Sequence, residues 1–181
     1  LYHNNASYGS GLTLYAGDRA GSNYQNVMDK GPAGTHYYTS GRWNPGFKNQ
    51  LTAIMLNGFV KAGGLELFGT YEVANGRNGI ETKDRKMTQL AGDVIYRFGN
   101  TEQLFVGGRL NTVNSEVVIP GFAGIQDIKI NRTAMAAGWF VTRNVLLKGE
   151  YIIQKYKDFP VGDHRNGGKF NGYVIEAVVG F

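Results

Sequence analysis

Eight stretches of this chain alternate apolar and polar residues with a period of two: 8–17, 49–62, 64–74, 86–98, 102–113, 128–141, 144–156 and 169–181. A period of two sends successive side chains to opposite faces of an extended backbone, and no stretch of comparable length repeats with the helical period. The segments exceed the ~5–6 residues usual for a globular strand and reach the ~9–11 that a tilted strand needs to cross a bilayer. The tail shows the pattern plainly. Val179, Ala177, Ile175 and Tyr173 form one apolar face, Glu176 interrupts the other, and Phe181 closes the run. The expected fold is all-β, a transmembrane antiparallel up-and-down β-barrel with about eight strands over 1–181, either a single domain or the C-terminal portion of a larger barrel.

Composition narrows the alternatives. With 42% hydrophobic residues, the chain still has no apolar run near the ~20 residues that a membrane helix needs. The absence of cysteine excludes disulfides, thiol catalysis and Cys-based zinc sites. Glycine supplies 27 of the 181 residues, which disfavours helices and suits strand bends and positions beside aromatics. No charged leader with an apolar segment follows Leu1, so any secretion signal is expected to precede it or to have been removed.

The connections alternate strictly in length. Short turns are expected at 62–64, 99–101 and 142–144, and long loops at 18–48, 75–85, 114–127 and 157–168. That sorting is the asymmetry of outer-membrane barrels, with short turns on the periplasmic side. Tyr96, Phe98, Phe105, Trp139, Phe140 and Phe181 all fall at the short-turn end, where some should form an aromatic girdle while parity turns Phe105 and Phe140 inward. The long-loop regions with their strand ends (18–48, 75–86, 114–129 and 155–169) hold 13 Lys or Arg against 8 Asp or Glu, so the whole net charge of +5 sits at that end. Such a mouth would draw anionic solutes or hold lipopolysaccharide phosphates.

Parity assigns the two faces from the third segment onward. Leu65, Leu67, Tyr71, Leu90, Val94, Tyr96, Val106, Leu110, Met135, Trp139, Leu147, Tyr151 and Ile153 fall on the lipid parity. The opposite parity collects the expected lumen-lining charges Glu66, Glu72, Asp93, Arg97, Arg109, Arg132, Lys148, Glu150 and Glu176. A lipid-facing Lys or Arg costs roughly 2–4 kcal/mol at the bilayer midplane, which enforces this segregation. The expected protein is therefore inverted, apolar outside and ionic inside.

Signals for catalysis are weak. His3, His36 and His164 are scattered without metal spacing, and no phosphate-binding loop occurs. Asp163 and His164 adjoin in a Gly-rich loop, but Ser7, Ser10, Ser22, Ser40 and Ser115 lack a nucleophile context. No enzyme activity, cofactor, metal or nucleic-acid partner is expected. Two loops invite functional readings. Tyr37, Tyr38, Arg42 and Trp43 close the first long excursion, where aromatics and Arg would stack on a solute, narrow a pore, or simply pack together. The run from Val117 to Ile125, centred on Phe122, is too apolar for water and should fold into the lumen, pack on other loops or dock on a partner.

The stretches Ser40-Gly41-Arg42-Trp43-Asn44-Pro45-Gly46-Phe47, Asn144-Val145-Leu146-Leu147-Lys148-Gly149-Glu150-Tyr151 and Asn166-Gly167-Gly168-Lys169-Phe170-Asn171-Gly172-Tyr173, with the tail to Phe181, resemble the C-terminal half of porin-type outer-membrane β-barrel proteins of Gram-negative bacteria, phosphate-selective-porin-like barrels in particular. The likeness covers most of the chain through barrel grammar, and Glu176 stands where that family commonly carries Gly. It implies a passive channel of about 16 strands, roughly twice this length, so that these residues would be one wall of a wide pore. The expected function is an outer-membrane channel for passive diffusion of small hydrophilic solutes, with a preference for anions, in contact with outer-membrane lipid and lipopolysaccharide and able to join an oligomer or envelope complex. The alternative expectation is a closed eight-stranded barrel, filled by its own side chains, acting as a structural, adhesive or complex-forming subunit through its loops.

Overall fold

The computed structural model describes residues 1–4, 14–21, 23–26 and 39–180. Seven long strands follow one another as an up-and-down meander: β4 (Gln50–Ala62), β5 (Leu65–Arg77), β6 (Arg85–Phe98), β7 (Leu104–Val118), β8 (Ile125–Thr142), β9 (Val145–Lys157) and β10 (Lys169–Val179). A short β1 (Tyr2–Asn4) pairs with Leu51–Ala53 and makes this an eight-stranded antiparallel sheet in the order β1-β4-β5-β6-β7-β8-β9-β10. A separate hairpin joins β2 (Asn23–Asn26) and β3 (Thr39–Gly41). There is no helix among the described residues.

The chemistry of the turns accounts for the meander. Gly63, with a φ of +56°, and Gly64 close β4 onto β5, as the two-residue turn that matches strand twist requires. Gly99, at +94°, opens the turn from β6 to β7, where the Glu102 N–H donates to its carbonyl at 3.2 Å. Arg143 and Asn144 join β8 to β9. All three short turns lie at one end of the sheet. The longer connections 78–84, 119–124 and 158–168 lie at the other, as the sequence predicts.

Two expectations about the elements are corrected. The described part of the first predicted segment, 14–17, is not a strand of the sheet, and residues 2–4 take the place beside β4. Leu14 N–H donates to the Phe47 carbonyl at 3.1 Å and Asp18 N–H to the Trp43 carbonyl at 2.8 Å, so this stretch bonds to 43–47 instead. The predicted long loop 114–127 is mostly ladder. β7 and β8 pair from Leu104↔Trp139 out to Val118↔Ile125, leaving a six-residue connection, 119–124. Valine and isoleucine satisfy their backbone in the ladder, and alternate residues reach the core. Val117 and Ile119 are buried, and Phe122 packs on the same cluster.

Burial alternates along β5–β10 with the predicted parity. The convex face exposes Leu67, Tyr71, Leu90, Val94, Tyr96, Val106, Leu110, Met135, Trp139, Leu147, Tyr151, Tyr173 and Ile175. The concave face carries the charges from mid-height to the short turns, while Lys129, Lys155, Lys157 and Lys169 stand on the convex face near the long loops. At the long-loop half the interior is largely apolar, with the ion pairs Arg85–Glu81 and Arg165–Asp163 set against it, which corrects the expectation of an ionic interior throughout. Tyr15, Trp43, Phe47, Leu51, Met87, Val113, Ile128, Ile130, Tyr156 and Phe159 form an apolar core there. It exists because the segments 14–21 and 41–47 turn into the concavity and supply Tyr15, Trp43 and Phe47.

Candidate functional site

A belt of polar side chains crosses the concave face at mid-height: Glu72 on β5, Gln89 on β6, Asn111 on β7, Arg132 on β8 and Gln154 on β9. Register makes them neighbours, with Glu72 opposite Gln89, Asn111 opposite Arg132 and Arg132 opposite Gln154. All five are buried. Buried polar groups are mostly hydrogen-bonded, and here the inserted segment provides several partners, while Glu72 Oε2, Gln89 Nε2 and Asn111 Oδ1 have none among the described residues.

Asp18 is the hub of that arrangement. Its carboxylate accepts from the Gly21 N–H at 2.7 Å, the Trp43 N–H at 2.5 Å and Arg132 Nη1 at 3.1 Å, with Asn111 Nδ2 further out at 3.4 Å. Arg132 also donates through Nε to Gln154 Oε1 at 2.8 Å and through Nη2 to the Gly41 carbonyl. The Arg19 N–H donates to Gln89 Oε1 at 2.8 Å, its guanidinium lies 3.5 Å from Glu72, and Arg109 Nη1 reaches the Ala20 carbonyl at 3.0 Å. Four strands thus grip residues 18–21 directly. Glycine makes the approach feasible. Gly17 has a φ of +95°, and a Cβ there would lie 2.2 Å from the Trp43 carbonyl; one at Gly21 would lie 2.7 Å from the Arg132 guanidinium.

Toward the short-turn end the concave wall stays polar and opens. Arg109 grips Asp93 with two N–H groups. Arg97 Nε donates to Glu66 at 2.8 Å while its guanidinium lies 5.7 and 5.5 Å from the centres of the Phe105 and Phe140 rings. Lys148 lies 2.6 Å from Glu150 and 3.4 Å from Glu176, and Lys61 bridges Glu66 and Glu102. A cavity of about 250 Å³ lies between Asp93, Phe105, Arg109, Lys148 and Glu150, and an open concavity of about 770 Å³ lies beside Lys61, Glu66, Arg97 and Phe140. Phe105 lies flat across Gly138 of β8, where any Cβ would clash with the ring.

All nine sequence-predicted lumen charges therefore lie on the concave face, Glu176 at its half-exposed margin. Each is ion-paired, so the wall presents alternating dipoles rather than a free field of one sign. Parity in the sequence puts Gln89, Asn111 and Gln154 on the inward face without marking them as site residues, and it does not point to Asp18 at all. Uncharged amides at inward parity were the available signal, and Asp18 had none beyond its place before a Gly-rich excursion.

The loop candidates separate. Tyr37 and Tyr38 lie outside the described residues, as does Phe181. Trp43 is packed edge-on against Phe159, 6.1 Å between centroids, under the Arg165 guanidinium, so its ring belongs to the core and is not offered to a solute. Arg42 is half-buried beside Gly17. Phe122 covers the core at the rim. In the capping loop, Arg165 holds Asp163 at 2.8 and 2.7 Å and lies over Phe159. Burial alone would raise the Asp163 carboxyl, but the Arg165 hydrogen bonds outweigh it and hold the group below the usual range. His164 is exposed, 3.9 Å from a carboxylate already committed to Arg165, and Ser115 Oγ donates to the Glu116 carbonyl at 3.3 Å. No group of three metal-ligating side chains occurs among the described residues. Comparison with protein-family models, with curated proteins and with solved structures returns no match.

Proposed function

We propose that this chain forms the wall of a porin-like channel in the bacterial outer membrane, through which small hydrophilic solutes diffuse passively, with the segment 14–21 and 41–47 narrowing the lumen. The observation that carries this reading is the segregation of the two faces over β5–β10: a convex surface of exposed Leu, Val, Met, Tyr and Trp, and a concave surface of paired charges. A protein in water rarely exposes contiguous apolar patches beyond a few hundred Å². In lipid the same surface is the favourable one. Tyr96, Phe98 and Trp139 at the short-turn end suit the membrane interface.

Lipid also demands that every backbone N–H and C=O be paired. Among the described residues, β4 has no partner beyond Ala53 on its outer edge, and β10 has none on its own. In the membrane these edges must pair with each other or with further strands. Intact mass of the polypeptide extracted from outer membranes distinguishes the two: about 19.9 kDa for closure by this chain, twice that for one wall of a wider pore.

Because the lumen charges are paired, any anion preference rests chiefly on the excess of Lys and Arg at the long-loop mouth. In planar bilayers the channel is expected to give discrete current steps, and Arg109→Gln, which leaves Asp93 without its partner, should shift permeability toward cations. A conducting protein whose selectivity is untouched by Arg109→Gln and by Arg132→Gln would sink the lumen assignment. The closed, structural barrel is favoured by one observation, the dense packing of Tyr15, Trp43 and Phe47 within the long-loop half. Insertion without any conductance would establish that alternative.

A further inference from the structure

The convex face changes character near the long-loop end. Cross-strand partners there run Thr88, Asn114, Lys129, Lys157 in one row and Thr112, Asn131, Lys155, Lys169 in the next. Beyond them, toward the short turns, come Leu110, Thr133 and Ile153, then Met135, Tyr151 and Tyr173. Lys129 is thus directly opposite Lys157, and Lys155 directly opposite Lys169. Like charges in that relation destabilise an antiparallel pair, and an anion seated between two such pairs would relieve the repulsion. Lys155, Lys157 and Lys169 are exposed, Lys129 is half-buried, and none of the four forms an ion pair with a described residue. The neighbouring carboxylates Glu116, Asp127 and Asp158 line a groove of about 330 Å³ with Lys86 and Lys129, on the side away from Lys155 and Lys169.

We propose that these four lysines bind the phosphate groups of an anionic lipid headgroup in the leaflet at the long-loop side, its acyl chains lying on Ile153, Tyr151 and Tyr173. Placement selects a lipid over free phosphate. Side chains of one face recur every ~7 Å along a strand, so the ammonium groups stand one or two rows from the apolar belt, within the span of a single headgroup. Lysine suits this role because its ammonium is a compact point charge on a stem that can lie along apolar surface while the head reaches phosphate. Thr112 and Asn131, joined at 3.3 Å, supply uncharged polar groups in the same row.

This inference rests on the membrane-spanning reading, and the test separates the two. The full chain is first floated with phosphatidylcholine vesicles; a chain that stays out of them overturns the membrane reading and this proposal together. Protein that does insert is transferred to micelles containing bisphosphorylated lipid A, and retained lipid is counted by native mass spectrometry. Wild type should retain it, and Lys155→Gln with Lys169→Gln should weaken retention roughly thirtyfold, from the attraction of each lysine for an anionic surface. Lys83→Gln with Arg143→Gln removes the same charge elsewhere and should change retention little. The proposal falls if the lysine pair variant binds like wild type, if the control loses as much, or if inorganic phosphate at equal concentration displaces the lipid.

Discussion

Replacing Asp18 with alanine should release the inserted segment while leaving the sheet intact. Asp18 is fully buried and reaches no strand backbone of the main sheet; its partners are the Gly21 and Trp43 N–H groups, Arg132 and Asn111. Its loss strands the Arg132 guanidinium in a site where it is itself buried, with Gln154 and the Gly41 carbonyl as remaining acceptors. Removing one partner of a buried ion pair costs about 3–5 kcal/mol, because the other charge is left uncompensated. That cost falls on docking, since the ladders from β4 to β10 do not involve Asp18. The ratio of docked to released segment should therefore fall by about a hundredfold to a few thousandfold. Trypsin reads this directly, because cleavage at Arg19 and Arg42 follows the released population when reclosure is fast. Fragment mapping should show at least a hundredfold faster cutting at these two sites in Asp18→Ala, with unchanged strand content by circular dichroism. Adding Arg132→Met removes the stranded charge and should restore much of the resistance. An Asp18→Ala protein as resistant as wild type, or a double variant cut as fast as the single one, would refute the assignment of the ion pair as the latch.

Three further outcomes follow from the same geometry. Leu110, outward-facing at mid-strand and two-thirds exposed (66%), can be changed to Arg; in a bilayer this should cost roughly 2–4 kcal/mol, seen as lost folding into phosphatidylcholine vesicles by gel mobility, and wild-type folding would count against lipid contact at that face. Gly138→Val drives a side chain into the Phe105 ring, where a Cβ would lie only 2.2 Å away, and should cost on the order of 1–3 kcal/mol in urea unfolding, relieved by Phe105→Ala. Asp163 binds its proton less readily when folded than unfolded, so its stabilisation of the 158–168 cap is complete above the ordinary carboxylate range and is lost only as pH falls through the lowered folded value. Hydrogen exchange across 159–168 should stay protected at mildly acidic pH and open at lower pH, and Asp163→Asn should remove that step; protection with the same pH dependence in the variant would show that another group controls the cap.

The strand meander from β4 to β10 was legible because its signals are local. Alternation along 86–98 predicts β6 at Arg85–Phe98, and 144–156 predicts β9 at Val145–Lys157, within a residue at each end. The same alternation placed Glu66, Asp93, Arg97, Arg109, Arg132, Lys148 and Glu150 on one face without any knowledge of their partners. The first segment misled because its alternation is shared by a strand and by any extended chain. Residues 14–17 carry that alternation, but Gly17 turns the chain with a φ of +95°, and the Leu14 and Asp18 N–H groups bond to the Phe47 and Trp43 carbonyls, a pairing that no local pattern encodes. The loop expected at 114–127 errs in the opposite direction, since the ladder continues to Val118 and resumes at Ile125.

By itself, then, the sequence determined the up-and-down meander from β4 to β10, the parity of its apolar face and the end at which the long connections and the net charge collect. Each of these depends only on neighbours along the chain and on the two-residue repeat of an extended backbone. Only the tertiary structure decided what fills the concavity. Asp18 meets Arg132 across 114 positions, and Trp43 and Phe47 meet Tyr156, Phe159 and Arg85 on other strands and loops. Those contacts follow from strand register and sheet curvature, which place distant residues at the same height on one wall. Inward parity told that Arg132 must find a partner; the path of a glycine-rich segment into the concave face supplied it.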